Sequence, residues 1–258
     1  MGRSTERRWS EIMKMTPFKD EEELRKFLVR YRQSTNNDYM NLNRYLEELQ
    51  DLHYYENGDL YIGSKKNGRW HVSYYLKEGR PLTGEEIMVT EVVGKKPDIG
   101  AAESVGFRLY KTRERLRLKE RTPYFSKRVK VIRDANFVKR GIASFDPVSG
   151  NHQPDAVVED DVKNGRIIGI EGAGFLQFSV KKTEQTIEHL YVEKSWRRRG
   201  IALEILRHYV SNCIEKNRAT VWTDADGAAE NLYEKAGFQK DGMKAAVMVY
   251  GPSPLELK

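Results

Sequence analysis

A strand-like run, a short basic loop and a helical run follow one another in the last third of the chain. The strand-like run ends at Val192, and Gly200 directly precedes residues with helical apolar spacing. The first N–H groups of a helix have no intrahelical partner, and the helix dipole favours negative charge beside them. Glycine lets a ligand approach the backbone, and the arginines at 197–199 add positive charge. The segment therefore predicts an anion site, although a basic helix start on a solvated face has the same composition.

This arrangement resembles the acetyl-CoA site of the GNAT superfamily of N-acetyltransferases. The family's signature is Gln/Arg-x-x-Gly-x-Gly/Ala after a strand, and Arg197, Gly200 and Ala202 occupy its three fixed positions. In that family the loop binds the pyrophosphate of acetyl-CoA, and the preceding strand splays from its neighbour to pair with the pantetheine arm. The resemblance therefore implies acetyl-CoA as the acyl donor. It assigns cofactor binding to Leu190, Tyr191, Val192, Arg197, Arg198, Arg199, Gly200, Ile201, Ala202, Asp226 and Ala229.

A second stretch, residues 226–238, resembles the family's motif Asn-x-x-Ala-x-x-x-Tyr-x-Lys-x-Gly-Phe. The residues that match are Ala229, Tyr233, Lys235, Gly237 and Phe238. Asp226 stands where members usually carry Asn, and either residue can cap the following helix. The two motifs occur in the family's order, so the resemblance covers residues 130–250.

The chemistry that the resemblance implies is direct attack of an amine on the acetyl thioester, which requires a base for the ammonium proton. Several members place this base at the position of Glu188, and His189 is the competing residue. A period of two predicts these two side chains on opposite faces of the strand. Tyr233 stands at the position of the family's general acid, whose phenol can protonate the leaving thiolate. Each of these residues also has a structural interpretation. Glu188 is then a solvated or ion-paired residue, and His189 and Tyr233 are packing residues.

The apolar periodicity predicts an α/β fold with a mixed, largely antiparallel sheet flanked by helices, as the GNAT fold requires. Strands are predicted at 59–63, 69–76, 87–93, 108–119, 129–132, 166–170, 174–180, 186–192, 219–223, 238–242 and 245–250. Helices are predicted at 21–32, 42–52, 200–217 and 228–236.

The front half of the chain contains a faint echo of the second motif. Residues 101–107 end in Gly-Phe before a strand, as residues 233–238 do. This predicts a tandem arrangement, in which a degenerate GNAT-like domain (1–128) that supports the sheet or holds substrate precedes a GNAT acetyltransferase domain (129–258). The alternative is that Gly-Phe is an ordinary helix cap followed by a strand start.

The chain carries a formal net charge of +7, and the excess is concentrated between Arg108 and Arg140. Cations alternate along one predicted strand, which gives that strand a basic face. They are Lys111, Arg113, Arg115, Arg117 and Lys119. One interpretation is a solvated edge strand, whose cations discourage aggregation. The other is a docking surface for an acidic peptide, a nucleic acid or the phosphates of CoA.

Several other classes of protein are disfavoured. The sequence lacks an apolar run long enough to cross a membrane, and its first residues lack the apolar stretch of a secretory signal. Cys213 is the single cysteine, so an internal disulfide is excluded and a cytoplasmic location is expected. No His, Cys or Asp cluster has metal-ligand spacing, and direct acyl transfer needs no metal.

The sequence therefore predicts an enzyme that transfers an acetyl group from acetyl-CoA to a primary amine of a small molecule, peptide or protein. One alternative is a CoA-binding scaffold without catalysis. Another is an acetyltransferase acting on a nucleic-acid-linked amine such as aminoacyl-tRNA, which the residues do not favour. The identity of the acceptor, the preferred acyl length and the oligomeric state do not follow from the residues.

Overall fold

The computed structural model describes residues 13–38, 42–216, 218–225, 227 and 229–251, without the side chains of residues 43 and 44. These residues form two compact units. The first comprises the residues up to Val92 together with Asp98–Tyr110 and those from Met248, and the second comprises Val93–Pro97 and Lys111–Val247. The predicted boundary between two domains, at residues 128 and 129, stays a prediction.

The first unit is built on a mixed sheet. Its elements are β1 (Thr16–Pro17), α1 (Glu21–Arg30), β2 (Thr35–Asn36), α2 (Leu42–Glu47), β3 (His53–Glu56), β4 (Leu60–Lys66), β5 (Arg69–Leu76), β6 (Met88–Gly94), α3 (Gly100–Ser104) and the first residues of β7 (Arg108–Leu118). The strand order is β1-β3-β4-β5-β6, with β2 also paired to β5. The pairing is antiparallel except between β5 and β6.

Local sequence explains several of these elements. Asp20 caps α1 by accepting a hydrogen bond from the backbone N–H of Glu23. The β4–β5 hairpin turns at Asn67 and Gly68, whose φ angles of 48° and 76° are those of the turn that an Asn-Gly pair favours. The predicted helix 42–52 is shorter than expected, since α2 ends at Glu47 and a 3-10 turn follows at Leu49–Asp51.

A buried carboxylate fixes the connection after β5. Asp59 is 0% exposed, and its two oxygens accept hydrogen bonds from four consecutive backbone N–H groups at 2.7–3.1 Å. These N–H groups belong to Lys77, Glu78, Gly79 and Arg80. The hydrogen bonds repay the cost of burying the charge.

The second unit contains a longer sheet with helices on both faces. After the remainder of β7, its elements are β8 (Lys130–Val131), α4 (Ala135–Ala143), α5 (Asp155–Lys163), β9 (Ile167–Ile170), β10 (Gly174–Val180), β11 (Gln185–Val192), a 3-10 turn (Lys194–Trp196), α6 (Ile201–Asn212), β12 (Ala219–Asp224), α7 (Glu230–Glu234) and β13 (Phe238–Tyr250), which ends in the first unit. The strand order is β13-β7-β12-β11-β10-β9-β8. Among the pairs with a defined register, β11 and β12 are parallel and the others are antiparallel.

Two apolar cores lie on opposite faces of this sheet. The core on the α6 face includes Leu176, Phe178, Ile187, Ile205 and Tyr209. The core on the α4–α5 face includes Phe137, Val158, Val162, Ile167 and Phe175. The alternation along β10 therefore follows the period of two that its sequence predicts.

The structure corrects further predicted boundaries and one interpretation. The strands expected at 238–242 and 245–250 form the single strand β13, with Gly242 at a φ of 84° inside it. Helix α6 ends at Asn212, and α7 is confined to Glu230–Glu234. Strand β7 is not an edge strand, because it lies between β12 and β13. Protection of a sheet edge therefore does not explain its cations.

Candidate functional site

Strands β11 and β12 diverge toward the end of β11. They pair only at Gln185, Thr186 and Ile187, which face residues 219–221. On its other side β12 pairs with β7 at residues 220–224, and residues 189–192 of β11 pair on their other side with β10. In the described part of the chain, the main chain of Leu190, Tyr191 and Val192 therefore has no strand partner on the β12 side. The splayed strand that the resemblance implies is present.

The basic loop continues from this gap. Arg197 is extended and donates a hydrogen bond through Nε to the carbonyl of Val192 at 3.0 Å. Arg198 has a φ of 60°, and the guanidinium of Arg199 lies 5.2 Å from the ring centre of Trp196. All three arginines are exposed, and none has a carboxylate within 4.0 Å among the described residues. Their charge is available to a ligand.

Gly200 connects the loop to α6 in the left-handed conformation. Its φ is 78°, which favours glycine, and a Cβ at this position would have no atom within 4 Å. Its carbonyl accepts the hydrogen bond from Glu204 N–H, so the N–H groups of the first helical turn have no intrahelical partner. Ile201 is buried in the α6 core, whereas Ala202 is half-buried. An open depression beside this helix start is lined by Tyr124, Arg199, Gly200, Leu203, Glu204 and Arg207.

Glu188 occupies a β-bulge, which the sequence did not indicate. Gln177 and Phe178 are consecutive in β10 but oppose His189 and Ile187, so Glu188 is the extra residue of β11. The bulge breaks the period of two, and Glu188 therefore lies on the same face as His189. The prediction that they occupy opposite faces was wrong.

Hydrogen bonds hold both of these side chains. The carboxylate of Glu188 accepts from Ser179 Oγ at 2.5 Å and from Asn151 Nδ2 at 2.8 Å. His189 is 2% exposed, and its ring lies 4.9 Å from that of Phe145. Burial lowers the pKa of His189, while the hydrogen bond with the Gly150 carbonyl acts in the opposite direction. Sequence analysis missed Asn151 and Ser179 because a loop asparagine and a strand serine carry no signal of their own.

Tyr233 lies in the α6 core, in T-shaped contact with Phe238 at 5.9 Å. It is 6% exposed, and burial raises the pKa of its phenol. Ala229 is exposed immediately before α7, where its carbonyl accepts hydrogen bonds from the N–H groups of Leu232 and Tyr233. Asp226, the remaining predicted cofactor residue, lies outside the described residues.

Three cations of β7 are paired with carboxylates inside the second unit. Lys111 lies 3.0 Å from Asp224 and 3.5 Å from Asp146, and Arg113 lies 3.7 Å from Asp224. Arg115 contacts Asp241 at 2.7 Å. On the opposite face, Leu116 is fully buried in the α6 core, so the predicted alternation along β7 is confirmed.

Two kinds of feature are absent among the residues that the structure describes. They contain no group of His, Cys, Asp and Glu side chains that could hold a metal ion. They also contain no helix that is long and apolar enough to span a membrane.

Comparisons with known proteins agree with this geometry. Residues 162–247 match the sequence model of the acetyltransferase (GNAT) domain. A 68-residue stretch, 26% of this chain, is 37% identical to the human cysteine-rich protein 2-binding protein, and the mouse protein matches equally. The stretch spans 9% of the length of either relative.

Solved GNAT structures superpose on most of the chain. A GCN5-related N-acetyltransferase from Sphaerobacter thermophilus has a TM-score of 0.55 at 12% identity, covering 82% of this chain and 85% of its own. A tandem GNAT protein from the clavulanic acid biosynthesis pathway has a TM-score of 0.56 at 11% identity, covering 93% and 99%. At these identities the likeness establishes the fold. The chain therefore has the GNAT fold, and its residues 162–247 match the GNAT domain model.

Proposed function

We propose that this protein is an N-acetyltransferase that transfers the acetyl group of acetyl-CoA directly to a primary amine of a small molecule, peptide or protein. Three features that follow one another along the described chain carry the proposal. They are the main chain of 190–192 without a strand partner on the β12 side, the exposed arginines 197–199 without a carboxylate within 4.0 Å, and the open helix start at Gly200. Together they offer main-chain polar groups along the strand and positive charge at the start of the helix.

The residues present fit acetyl-CoA, which supplies an acetyl group activated as a thioester. The N–H groups of the first turn of α6 and the loop arginines would bind the pyrophosphate. The main chain of Leu190, Tyr191 and Val192 would pair with the amides of the pantetheine arm. Asp226 and Ala229 stay predicted contacts.

Glu188 is proposed to take the proton from the acceptor ammonium, directly or through water. Ser179 and Asn151 hold its carboxylate at the bulge, at the point where β11 leaves β12. Tyr233 is proposed to protonate the leaving thiolate. The raised pKa of its phenol keeps the proton in place before transfer.

Calorimetric titration with acetyl-CoA, free CoA and a longer acyl-CoA tests the donor site. We expect micromolar binding that Gly200→Leu abolishes, because a side chain would enter the open space at the helix start. Gly172→Leu is a matched control, since Gly172 also has a positive φ (72°) and a Cβ placed there would likewise have no atom within 4 Å. Equal affinity in the two variants would reject the proposed pyrophosphate site.

Turnover distinguishes an enzyme from a scaffold. Release of free CoA thiol is followed with a panel of primary amines for the wild type, Glu188→Gln and Tyr233→Phe. An enzyme should lose turnover in both variants while retaining acetyl-CoA affinity. Binding without turnover of any amine would favour the CoA-binding scaffold.

The paired state of the β7 cations favours an amine that is not attached to nucleic acid. Lys111, Arg113 and Arg115 already face carboxylates and would have to exchange them for phosphates. A steep fall of RNA binding with salt concentration would support the nucleic-acid alternative instead. A cytoplasmic location is kept as a prediction.

A further inference from the structure

A buried chain of hydrogen bonds runs through the bulged face of β11. His189 Nδ1 lies 2.8 Å from Gln177 Oε1, and His189 Nε2 lies 3.0 Å from the carbonyl oxygen of Gly150. Gln177 is 0% exposed and contacts Asp161 Oδ2 at 2.7 Å and Gln153 Oε1 at 2.6 Å through its Nε2. The chain therefore links α5 to the loop beside Glu188.

The contact with Asp161 decides the orientation of the Gln177 amide. The other oxygen of Asp161 lies 3.2 Å from Arg166, so this carboxylate is ion-paired. A carboxylate only accepts hydrogen bonds, and the amide nitrogen of Gln177 must face it. The amide oxygen of Gln177 therefore faces His189.

Both ring nitrogens of His189 consequently face acceptors. The Gly150 carbonyl cannot donate, and neither can the amide oxygen of Gln177. Only the doubly protonated ring can donate to both. A neutral ring must lose one of the two hydrogen bonds.

Gly150 directly precedes Asn151, whose side chain donates to Glu188. We propose that His189 is a positioning residue whose protonated ring fixes Gly150 and thereby holds Asn151 on the carboxylate of Glu188. Because Gln177 is held in its strand by Asp161 and Gln153, the bond that the neutral ring loses is the one to the Gly150 carbonyl. This frees the peptide between Gly150 and Asn151 and leaves Glu188 without Asn151. Residues 146–149 stay anchored, since Lys111 pairs with Asp146 and Arg113 donates to the Ser149 carbonyl.

The groups around the ring shift the pKa of His189 in both directions. Burial lowers the pKa of His189, the Gly150 carbonyl raises it, and the electrostatic effects of His152 and Arg113 lower it. The carboxylate of Glu188 lies on the same face of the strand. The carboxylate of Asp161 contacts Gln177, which in turn contacts the ring of His189. Because the loop contact requires the proton, acidification favours the loop in contact and neutral pH favours its release.

Nitrogen NMR of the whole chain of 258 residues tests the coupling without any activity measurement. The ring nitrogens of His189 and the side-chain amide of Asn151 are followed from acidic to mildly alkaline pH. We expect one common midpoint, with both ring nitrogens protonated below it. If no common midpoint is seen, the proposal is overturned.

Asp161→Asn provides the decisive variant, with Asp160→Asn as its matched control. An asparagine at 161 can accept or donate, so Gln177 can reverse its amide and donate to a neutral His189. Asp160 is exposed, and its carboxylate contacts Asn164 and Arg166 rather than Gln177. The pH dependence of the NMR signal of the Asn151 amide should disappear in Asp161→Asn and persist in Asp160→Asn. If Asp161→Asn leaves that pH dependence unchanged, the proposal is also overturned.

The effect on catalysis rests on the proposed function. The pH profile of kcat should contain a limb with the NMR midpoint, and this limb should be absent in Asp161→Asn. KM for acetyl-CoA should stay unchanged, since the network does not reach the basic loop. Absence of any turnover would reject the proposed function, while the NMR result would still decide the loop coupling.

Discussion

Two arginine-rich segments of the second unit, the basic loop 197–199 and strand β7, have similar composition and opposite electrostatic surroundings. Arg115 and its neighbours in β7 lie in the middle of the sheet and face Asp146, Asp224 and Asp241. The loop arginines are exposed beside a helix start and have no described carboxylate within ion-pair distance.

The difference shows that the density of cations along a sequence does not identify an anion site. In β7 the positive charge is neutralised within the protein and contributes to holding the strands and the 146–149 loop together. In the loop it is added to the field of the α6 dipole, where a phosphate can approach. The predictions below separate these two roles.

The largest effect is expected from the triple variant Arg197→Gln, Arg198→Gln, Arg199→Gln. Charge-assisted hydrogen bonds contribute about 1.5–3 kcal/mol each, so loss of one of them should weaken acetyl-CoA binding by about 10- to 150-fold. The free energy of unfolding should stay within about 0.5 kcal/mol of the wild type. Calorimetry and chemical denaturation measure the two quantities. The exposed pair Lys181→Gln, Lys182→Gln is the control, and an equal loss there would make the effect one of net charge.

Arg115→Met should show the opposite pattern. It leaves Asp241, whose side chain is 12% exposed, without its cation, and should lower the free energy of unfolding by about 1–3 kcal/mol. Acetyl-CoA affinity should not change. A double-mutant cycle with Asp241→Asn measures the coupling, and additive effects would mean that the pair contributes no interaction energy.

The same pair predicts a dependence of stability on pH. Burial opposes ionisation of Asp241, but hydrogen bonds from Arg115 and from the N–H of Met243 outweigh it and lower the pKa of the carboxyl. A lowered folded pKa adds stability that is present above the ordinary aspartate value and is lost as the pH falls through the folded value. The free energy of unfolding, measured from pH 6 to pH 2, should therefore fall less in Asp241→Asn than in the wild type. Parallel curves would contradict this.

The smallest effect is expected from salt. Raising the ionic strength shortens the range of surface electrostatics, so acetyl-CoA affinity should fall severalfold between about 0.05 and 0.5 M salt. The triple loop variant should show a shallower dependence, whereas Arg115→Met should follow the wild type. If acetyl-CoA affinity depended on salt concentration identically in all three proteins, the loop arginines would not be part of the binding site.

The sequence by itself determined the features that depend on neighbours along the chain. Alternating apolar residues predicted β10, the Asn67-Gly68 pair favours the observed hairpin turn, and the order of strand, basic loop and glycine predicted the start of α6 at Gly200. These features follow from local periodicity and from the φ angles that each residue type allows, so they could be read without a structure.

Tertiary structure alone decided which side chains meet. The bulge at Glu188 arises from the register between β10 and β11, and it places Glu188 and His189 on one face against the period of two. The partners of the β7 cations come from a loop and two other strands that are distant in sequence. The separation of β11 from β12 likewise depends on where pairing between two strands stops. Such features are set by packing and register between distant segments, and no local pattern in this sequence encodes them.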